Sequence, residues 1–231
     1  MKQMKWMAWA MFFVLTATGL QSCDDDDDDK DWYNGTAALV TIKTDANGAA
    51  FIQLDDSTTL TPVNMKEVPY GKKEMRVLTL LRPADDDENV ANSEEPQRVY
   101  VDRIDTLLNK RMATNMGDEN SATYGNDPVE IIRDWKTVAE DGYLTLVFAT
   151  DFGHGGPHRV NLVATPEGDN QYVVTFYHDA SADTIPYYRG QGIVAFKLDQ
   201  LPSASGETVT LTLKWNSYSG EKSHDFKLKM R

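Results

Sequence analysis

Apolar and polar residues alternate with a period of two along most of this chain. Near its end Val209, Leu211, Leu213 and Trp215 interleave with Thr208, Thr210, Thr212 and Lys214. Successive side chains of a strand point to opposite faces, so this pattern predicts a half-buried antiparallel strand. Leu144, Leu146 and Phe148 repeat it, as do Tyr172, Val174 and Phe176, and then Val194, Phe196 and Leu198. Turn formers separate these runs: Asp141-Gly142, Pro166 to Asn170, and Pro202 to Gly206. Strands and turns so spaced predict an antiparallel β-sandwich over 129–231. No run carries a convincing amphipathic helical period.

The first half is also β, with shorter elements. Ala37–Lys43 and Ala49–Leu54 flank Asp45-Ala46-Asn47-Gly48, a hairpin turn, and Glu74–Leu81 and Arg98–Ile104 follow. Ala84 to Pro96 is acidic and too poor in apolar residues to pack, so it reads as an exposed loop. About five short strands suit a small OB-like barrel, placed at 35–112. Thr114 to Asp127 is polar, with Gly117, Gly125 and Pro128 in or beside it, and 113–128 is the expected linker between the two domains. The fold class expected is all-β, a small OB-like barrel followed by an antiparallel β-sandwich.

The N-terminus departs from this pattern. Lys2 and Lys5 precede a nearly continuous apolar run from Trp6 to Leu20, and Leu20-Gln21-Ser22-Cys23 closes it. The run is shorter than the roughly 20 residues of a spanning helix, so a cleaved leader at 1–22 is expected. A small residue directly before the only cysteine matches a bacterial lipoprotein cleavage site, with Cys23 the lipidated first residue of the mature chain. Asp24, Asp25, Asp26, Asp27, Asp28 and Asp29 follow it in an acidic tether over 23–34, whose like charges keep it extended. Acidic residues at that place resemble the signal that carries Bacteroidota lipoproteins to the cell surface. In enterobacteria an aspartate there argues for inner-membrane retention instead. The expected location is the outer membrane, facing outward, with the bilayer as one partner through acylated Cys23.

Charge narrows the remaining partners. The formal net charge is −13, and loss of Lys2 and Lys5 with the leader takes it to −15. So acidic a chain lacks the cations that replace phosphate counterions, which argues against nucleic acid. Acylation of Cys23 leaves no thiol for a disulfide, a thiolate metal site or a nucleophile. No Gly-x-Ser-x-Gly elbow is present, and Asp55-Asp56 and Asp85 to Asp87 read as solvated loop charges. No catalytic residue and no cofactor is expected.

Two places remain as candidates. Asp151, His154 and His158 share the segment Asp151-Phe152-Gly153-His154-Gly155-Gly156-Pro157-His158. Carboxylate and imidazole bind zinc, but the glycines and proline rule out the regular helix on which spacings of three and four would converge. A loop between strands, with no metal, is the preferred reading. The second place is Ile185-Pro186-Tyr187-Tyr188-Arg189-Gly190-Gln191-Gly192, where alternation predicts that one tyrosine of the pair is exposed. Tyr187, Tyr188 and Arg189, joined by Tyr218, form the candidate contact surface. Trp135 and Tyr143 could extend it, although Trp135 and Trp215 are expected chiefly as fillers of the sandwich core.

Asp134-Trp135, then Glu140-Asp141-Gly142-Tyr143-Leu144-Thr145-Leu146, His158 to Val163, and Gly206 to Trp215 with Ser217 to Glu221 together resemble the NigD-like lipoproteins of Bacteroidota. The resemblance is strong over 125–231 and weaker over 35–112. It implies an N-terminal OB-like domain before a C-terminal β-sandwich, in agreement with the strand pattern. It also implies a protective or binding role and carries over no catalytic residues. The function expected is non-covalent binding of a secreted protein or peptide, with a surface glycan or a structural envelope role as the alternative.

Overall fold

The computed structural model describes residues 35–84, 97–183 and 185–231. The expectations for the leader, Cys23 and the aspartates after it lie outside the described residues, as does nearly all of the acidic loop. Fourteen strands and one short helix build the described part. Strands β1 (Thr36–Thr44), β2 (Ala50–Gln53), β3 (Thr59–Pro62), β4 (Glu74–Pro83) and β5 (Gln97–Thr106) close a barrel in the order β1-β2-β3-β5-β4. Its interior is filled by alternate residues, Val40 and Ile42 of β1, Ile52 of β2, Val77 of β4 and Val99 of β5. The hairpin predicted at Asp45 to Gly48 joins β1 to β2, with Asp45 accepting the amides of Asn47 and Ala49 at 2.8 Å each.

The remainder is a sandwich of two sheets. One runs β6 (Leu108–Arg111), β12 (Pro186–Lys197), β9 (Tyr143–Gly153) and β7 (Glu130–Ile132), with β8 (Val138–Glu140) also on β9. The other runs β10 (Arg159–Ala164), β11 (Val173–Asp179), β13 (Thr208–Ser217) and β14 (Gly220–Lys229). Most pairings are antiparallel as expected, but β11 with β13 and β6 with β12 are parallel. Leu144, Leu146, Phe176, Phe196, Leu211 and Leu213 meet between the sheets. Phe176 touches Phe148 at 5.5 Å and Phe196 edge-on at 6.0 Å, both favourable aromatic arrangements.

The segment 113–128, expected as a linker, packs on the sandwich, and β6 of the sandwich sheet falls within the 35–112 expected for the barrel. The chain crosses from barrel to sandwich at Leu107, and β6 is already a strand of the sandwich sheet, so the barrel ends at Thr106. Beyond it the Ala113 amide donates to Leu162 at 2.8 Å and α1 (Asn120–Tyr124) follows. Tyr124 packs on Tyr177, and the amides of Asp127 and Val129 bond His178 and Asn216. Backbone pairing onto a sheet needs no apolar period, which is why a polar segment can be strapped down so thoroughly.

Strand β9 is buried on both faces along Tyr143–Thr150. Its even residues face the sandwich core. Behind it Tyr143 and Ala195 pack against Leu39 of β1 and Leu107, with Leu78 and Ile193 alongside. This seam between barrel and sandwich is also ionic. Arg76 is fully buried and bonds Glu140 and, at 3.1 Å, the Thr41 hydroxyl. Asp141 receives Lys43 at 2.5 Å and Arg231 at 2.9 Å, while Arg231 also reaches Glu74 at 2.8 Å. Burial pushes the Glu74 carboxyl up, but Arg231 and Lys197 outweigh it and hold it below the usual carboxylate range. At Glu140 burial wins over Arg76, and its carboxyl stays above that range.

Candidate functional site

One end of the sandwich gathers the polar and aromatic groups that the core rejects. Four of the exposed large apolar side chains stand there: Ile185, Tyr187, Tyr188 and Tyr218. Tyr187 and Tyr188 are both exposed, at 76% and 53%, where strand alternation predicted one. The register slips between Pro186 and Tyr188, so Tyr187 is the extra residue of a bulge, and strand alternation does not hold across it. Arg189 lies across from Asp151 in the β9 register, bonds it at 3.3 Å and stacks 4.5 Å from the Tyr218 ring centre. The Tyr218 hydroxyl in turn accepts the Asp151 amide at 3.2 Å. Arg189 and Tyr218 therefore meet on the side of β9 that Asp151 faces, while Tyr188, across from Phe152 in the register, stacks on that ring.

Two other aromatics depart from expectation. Trp135, expected in the core, is 55% exposed on the turn between β7 and β8, on the opposite side of β9 from β12. That turn is made by Asp134 accepting the Lys136 amide, which puts the indole outside the strand pattern. Tyr143, considered for the surface, is buried in the seam, hydrogen-bonded to Glu74. Trp215 fills the core as expected.

The glycine-rich segment does not bring Asp151, His154 and His158 together. Asp151 faces Arg189, and the His154 ring lies 5.1 Å from that of Tyr187. His158 turns inward to meet two residues the sequence reading did not connect with it. Its Nδ1 is 2.8 Å from His178 Nε2, and its Nε2 is 3.1 Å from Asp183. His178 Nδ1 then faces the Asp127 carbonyl at 3.3 Å. The Asp183 carboxylate also accepts the amides of Gly153 and Gly155 at 2.5 and 2.8 Å. The glycines permit this fit, since a Cβ on Gly155 would stand 2.7 Å from the Ala182 carbonyl oxygen. Among the described residues no group of three or more His, Cys, Asp or Glu is placed to hold a metal ion.

The chain from Asp183 through both imidazoles to Asp127 ends in an acceptor on each side. Its links run through all four ring nitrogens of the pair. Every ring nitrogen has a partner within the chain, and the unit joins the β9–β10 and β11–β12 loops as a clamp. Burial, and next the neighbouring His158 charge, hold the His178 imidazole below its ordinary pKa. A depressed histidine favours the fold fully above the unfolded value of about 6.5 and progressively less as pH falls from there toward the folded value. Urea unfolding between pH 7.5 and 5 is expected to show this loss, and His178→Phe is expected to flatten it; an equally steep decline in the variant would remove His178 from the explanation.

Above the clamp a pocket of about 400 Å³ is lined by Asp127, Thr150, Asp151, Ser181, Asp183 and Tyr218, with Pro128 and Ala180. Phe152 joins Tyr188 to the clamp, stacked on His158 at 4.4 Å and on Tyr188 at 5.8 Å. The signal that could have found the clamp is the parity of His178, which follows Val174 and Phe176 on the buried face of β11.

Comparison with known proteins agrees with this architecture. Residues 39–107 match the NigD-like N-terminal OB domain and 112–228 the NigD-like C-terminal beta sandwich domain. Among solved structures, one described as a toxin-related protein from Parabacteroides distasonis is 29% identical, with 84% of this chain and 93% of that one covered at a TM-score of 0.67. A protein of unknown function from Bacteroides vulgatus is 18% identical, with 84% and 91% covered and a TM-score of 0.65. A NigD-like immunity protein from Bacteroides caccae is 20% identical, with 84% and 93% covered and a TM-score of 0.55. At such identity these last two bear on the fold alone. No curated protein matches the chain. With one model spanning the barrel and the other the sandwich, the chain belongs to the NigD-like family.

Proposed function

We propose that this protein is a lipid-anchored, non-catalytic binding protein that protects its producer by capturing a secreted protein or peptide near the outer membrane. The observation that carries the reading is the exposure of Tyr187, Tyr188 and Tyr218 at one end of the sandwich, with Arg189 stacked on Tyr218, in a family that includes a protein described as an immunity protein. Large, stiff aromatic side chains contribute contact area at low entropic cost, and tyrosine and arginine dominate the energetics of protein interfaces. The planes of Tyr187 and Tyr188 meet at 81°, which gives a faceted rim suited to partner side chains rather than the flat platform a sugar ring stacks on. Engagement of every nitrogen of the buried histidine pair favours binding over general-base chemistry.

Anchoring is read from Cys23 and its acidic tether. Cys23→Ala is expected to leave the protein unprocessed or release it from the membrane fraction; unchanged partitioning into the detergent phase would sink the anchor. The protective role is tested by deleting the gene and challenging cells with neighbouring strains that secrete antagonists. Survival is expected to fall, to return with the wild-type gene, and to stay low with a Tyr188→Ala/Tyr218→Ala gene expressed at equal level. Unaltered sensitivity of the deletion strain to every antagonist would overturn it.

A further inference from the structure

Another exposed aromatic stands on the barrel. Tyr70 is 73% exposed, on the loop between β3 and β4. The Lys66 carbonyl accepts the Ala50 amide at 2.9 Å, and the Lys73 carbonyl accepts the Thr44 amide at 3.1 Å. Thr44 and Ala50 face each other in the β1–β2 register, so both feet of the loop stand on one end of the barrel. Between them Val68 is buried in the barrel core, and the Lys72 amide closes a turn onto the Pro69 carbonyl at 3.3 Å. Tyr70 is held in the left-handed region, at φ 60° and ψ 26°, where a bulky residue is an outlier and glycine would fit without strain. Such strain clusters at ligand contacts.

Cations surround the ring. Lys66, Lys72 and Lys73 are exposed, and none of them makes an ion pair or a side-chain hydrogen bond among the described residues. Glu67 offsets one of the three, which leaves the loop from Lys66 to Lys73 with two net positive charges. Asp45, on the neighbouring hairpin turn, is bound to its own amides of Asn47 and Ala49. Glu74, next in the chain, is already matched by Lys197 and Arg231. A Cβ on Gly71 would meet nothing within 4 Å, so the loop projects and suits a flat partner better than a ligand that needs a cleft.

The loop also lies far from the exposed tyrosines of the sandwich. Lys73 adjoins Glu74, which bonds Lys197, and Lys197 pairs with Tyr143 at the start of β9. Gly153, at the other end of β9, pairs with Pro186 beside Tyr187. The eleven residues of β9 separate the two places by about 30 Å. We propose that the Tyr70 loop rests on the anionic, phosphate-bearing surface of the bilayer that holds Cys23, and so turns Tyr187, Tyr188 and Tyr218 away from the membrane. This rests on the anchoring reading. Gly35 follows Cys23 by twelve residues, at most about 43 Å of chain. Strand β1 runs roughly 26 Å from Thr36 to the foot of the loop at Thr44, which is within that reach. The tether's own aspartates repel such a surface, so the lysine loop is the part suited to meet it. Tyrosine favours the membrane–water boundary, and a basic patch supplements a lipid anchor. Each net positive charge near an anionic surface favours contact roughly fivefold, so two bias a tethered protein toward the docked orientation by about twentyfold.

The test uses the full chain as cells process it, purified in detergent and reconstituted with vesicles. One set is phosphatidylcholine alone, and the other adds phosphatidylglycerol. Amide hydrogen exchange over 66–73 is expected to be about tenfold slower on the anionic set, with no change from Tyr187 to Arg189, and raised salt is expected to reverse it. The Lys66→Gln/Lys72→Gln/Lys73→Gln variant is expected to exchange alike on both sets. Tyr70→Gly, which suits the backbone conformation and removes only the ring, is expected to lose part of the protection. Equal exchange on the two sets, with the protein floating with both, would overturn the docking and leave the anchor standing. Failure to float with the neutral vesicles would instead remove the anchor on which the docking rests. The same slowing produced in detergent by inorganic phosphate would assign the loop to a free anion and overturn the membrane. Slowing from Tyr187 to Arg189 on the anionic vesicles would place those tyrosines on the bilayer and overturn the orientation.

Discussion

Arg76→Ala is expected to destabilise the folded chain by about 3–5 kcal/mol, the cost typical of breaking a buried ion pair from one side. Arg76 is fully buried in the seam between barrel and sandwich, and its guanidinium is the cation facing Glu140. Removing it leaves that carboxylate, already held above its usual range by burial, without its counter-charge. The Thr41 hydroxyl loses its donor at the same time. Asn109 keeps its bonds to the Arg76 main chain at 2.8 Å each way, so strand pairing itself is not disturbed. Urea unfolding measures the loss. The double change Arg76→Met/Glu140→Gln is expected to cost less than Arg76→Ala, because neither charge then remains buried alone. The seam is where the barrel rests on the sandwich, so Arg76→Ala is also expected to split unfolding into two transitions. A loss below about 1 kcal/mol, in the range of surface pairs, would mean that the ion pair contributes little to the seam.

Phe148→Ala is expected to cost a further about 3–5 kcal/mol, as for other large aromatic truncations in a core. Its ring lies 5.5 Å from Phe176 and 6.1 Å from the buried His178, between the core and the clamp. The same ring occupies the space over Gly192, where a Cβ would come within 2.5 Å. Gly192→Ala is therefore expected to overpack that spot and cost about 1–3 kcal/mol. The two effects should not add. Once the ring is gone the new methyl group enters vacated space, so the double variant is expected to be more stable than the sum of the single losses by about 1 kcal/mol or more. Additivity would place the ring and the glycine in independent environments and contradict the packing described.

Strand identity was written in the alternation itself. Val209 to Trp215 and Leu144 to Phe148 lie where the period placed them, because a half-buried strand must sort its side chains by face. The same logic misled wherever a strand had two covered faces or a bulge. Thr145 and Val147 looked outward by alternation and are buried, since the barrel covers their side of β9. Tyr187 and Tyr188 are exposed together because the bulge at Pro186 adds a residue to one strand and not to its partner. Trp135 was a reasonable core residue by hydrophobicity, yet its place on the Asp134–Lys136 turn keeps it out.

What the sequence alone determined, then, is the all-β class, the OB-then-sandwich order and the family, all of which depend on local periodicity, turn chemistry and motif spacing. The tertiary structure decided what depends on contacts between residues distant in the chain. It placed the crossing at Leu107, set Arg76 against Glu140 and joined Asp183 to His158 and His178. It also set Arg189 against Tyr218. No periodicity encodes such meetings: they follow from which strand edges pair and in what register, and register is settled only when the buried faces of all the strands are satisfied together.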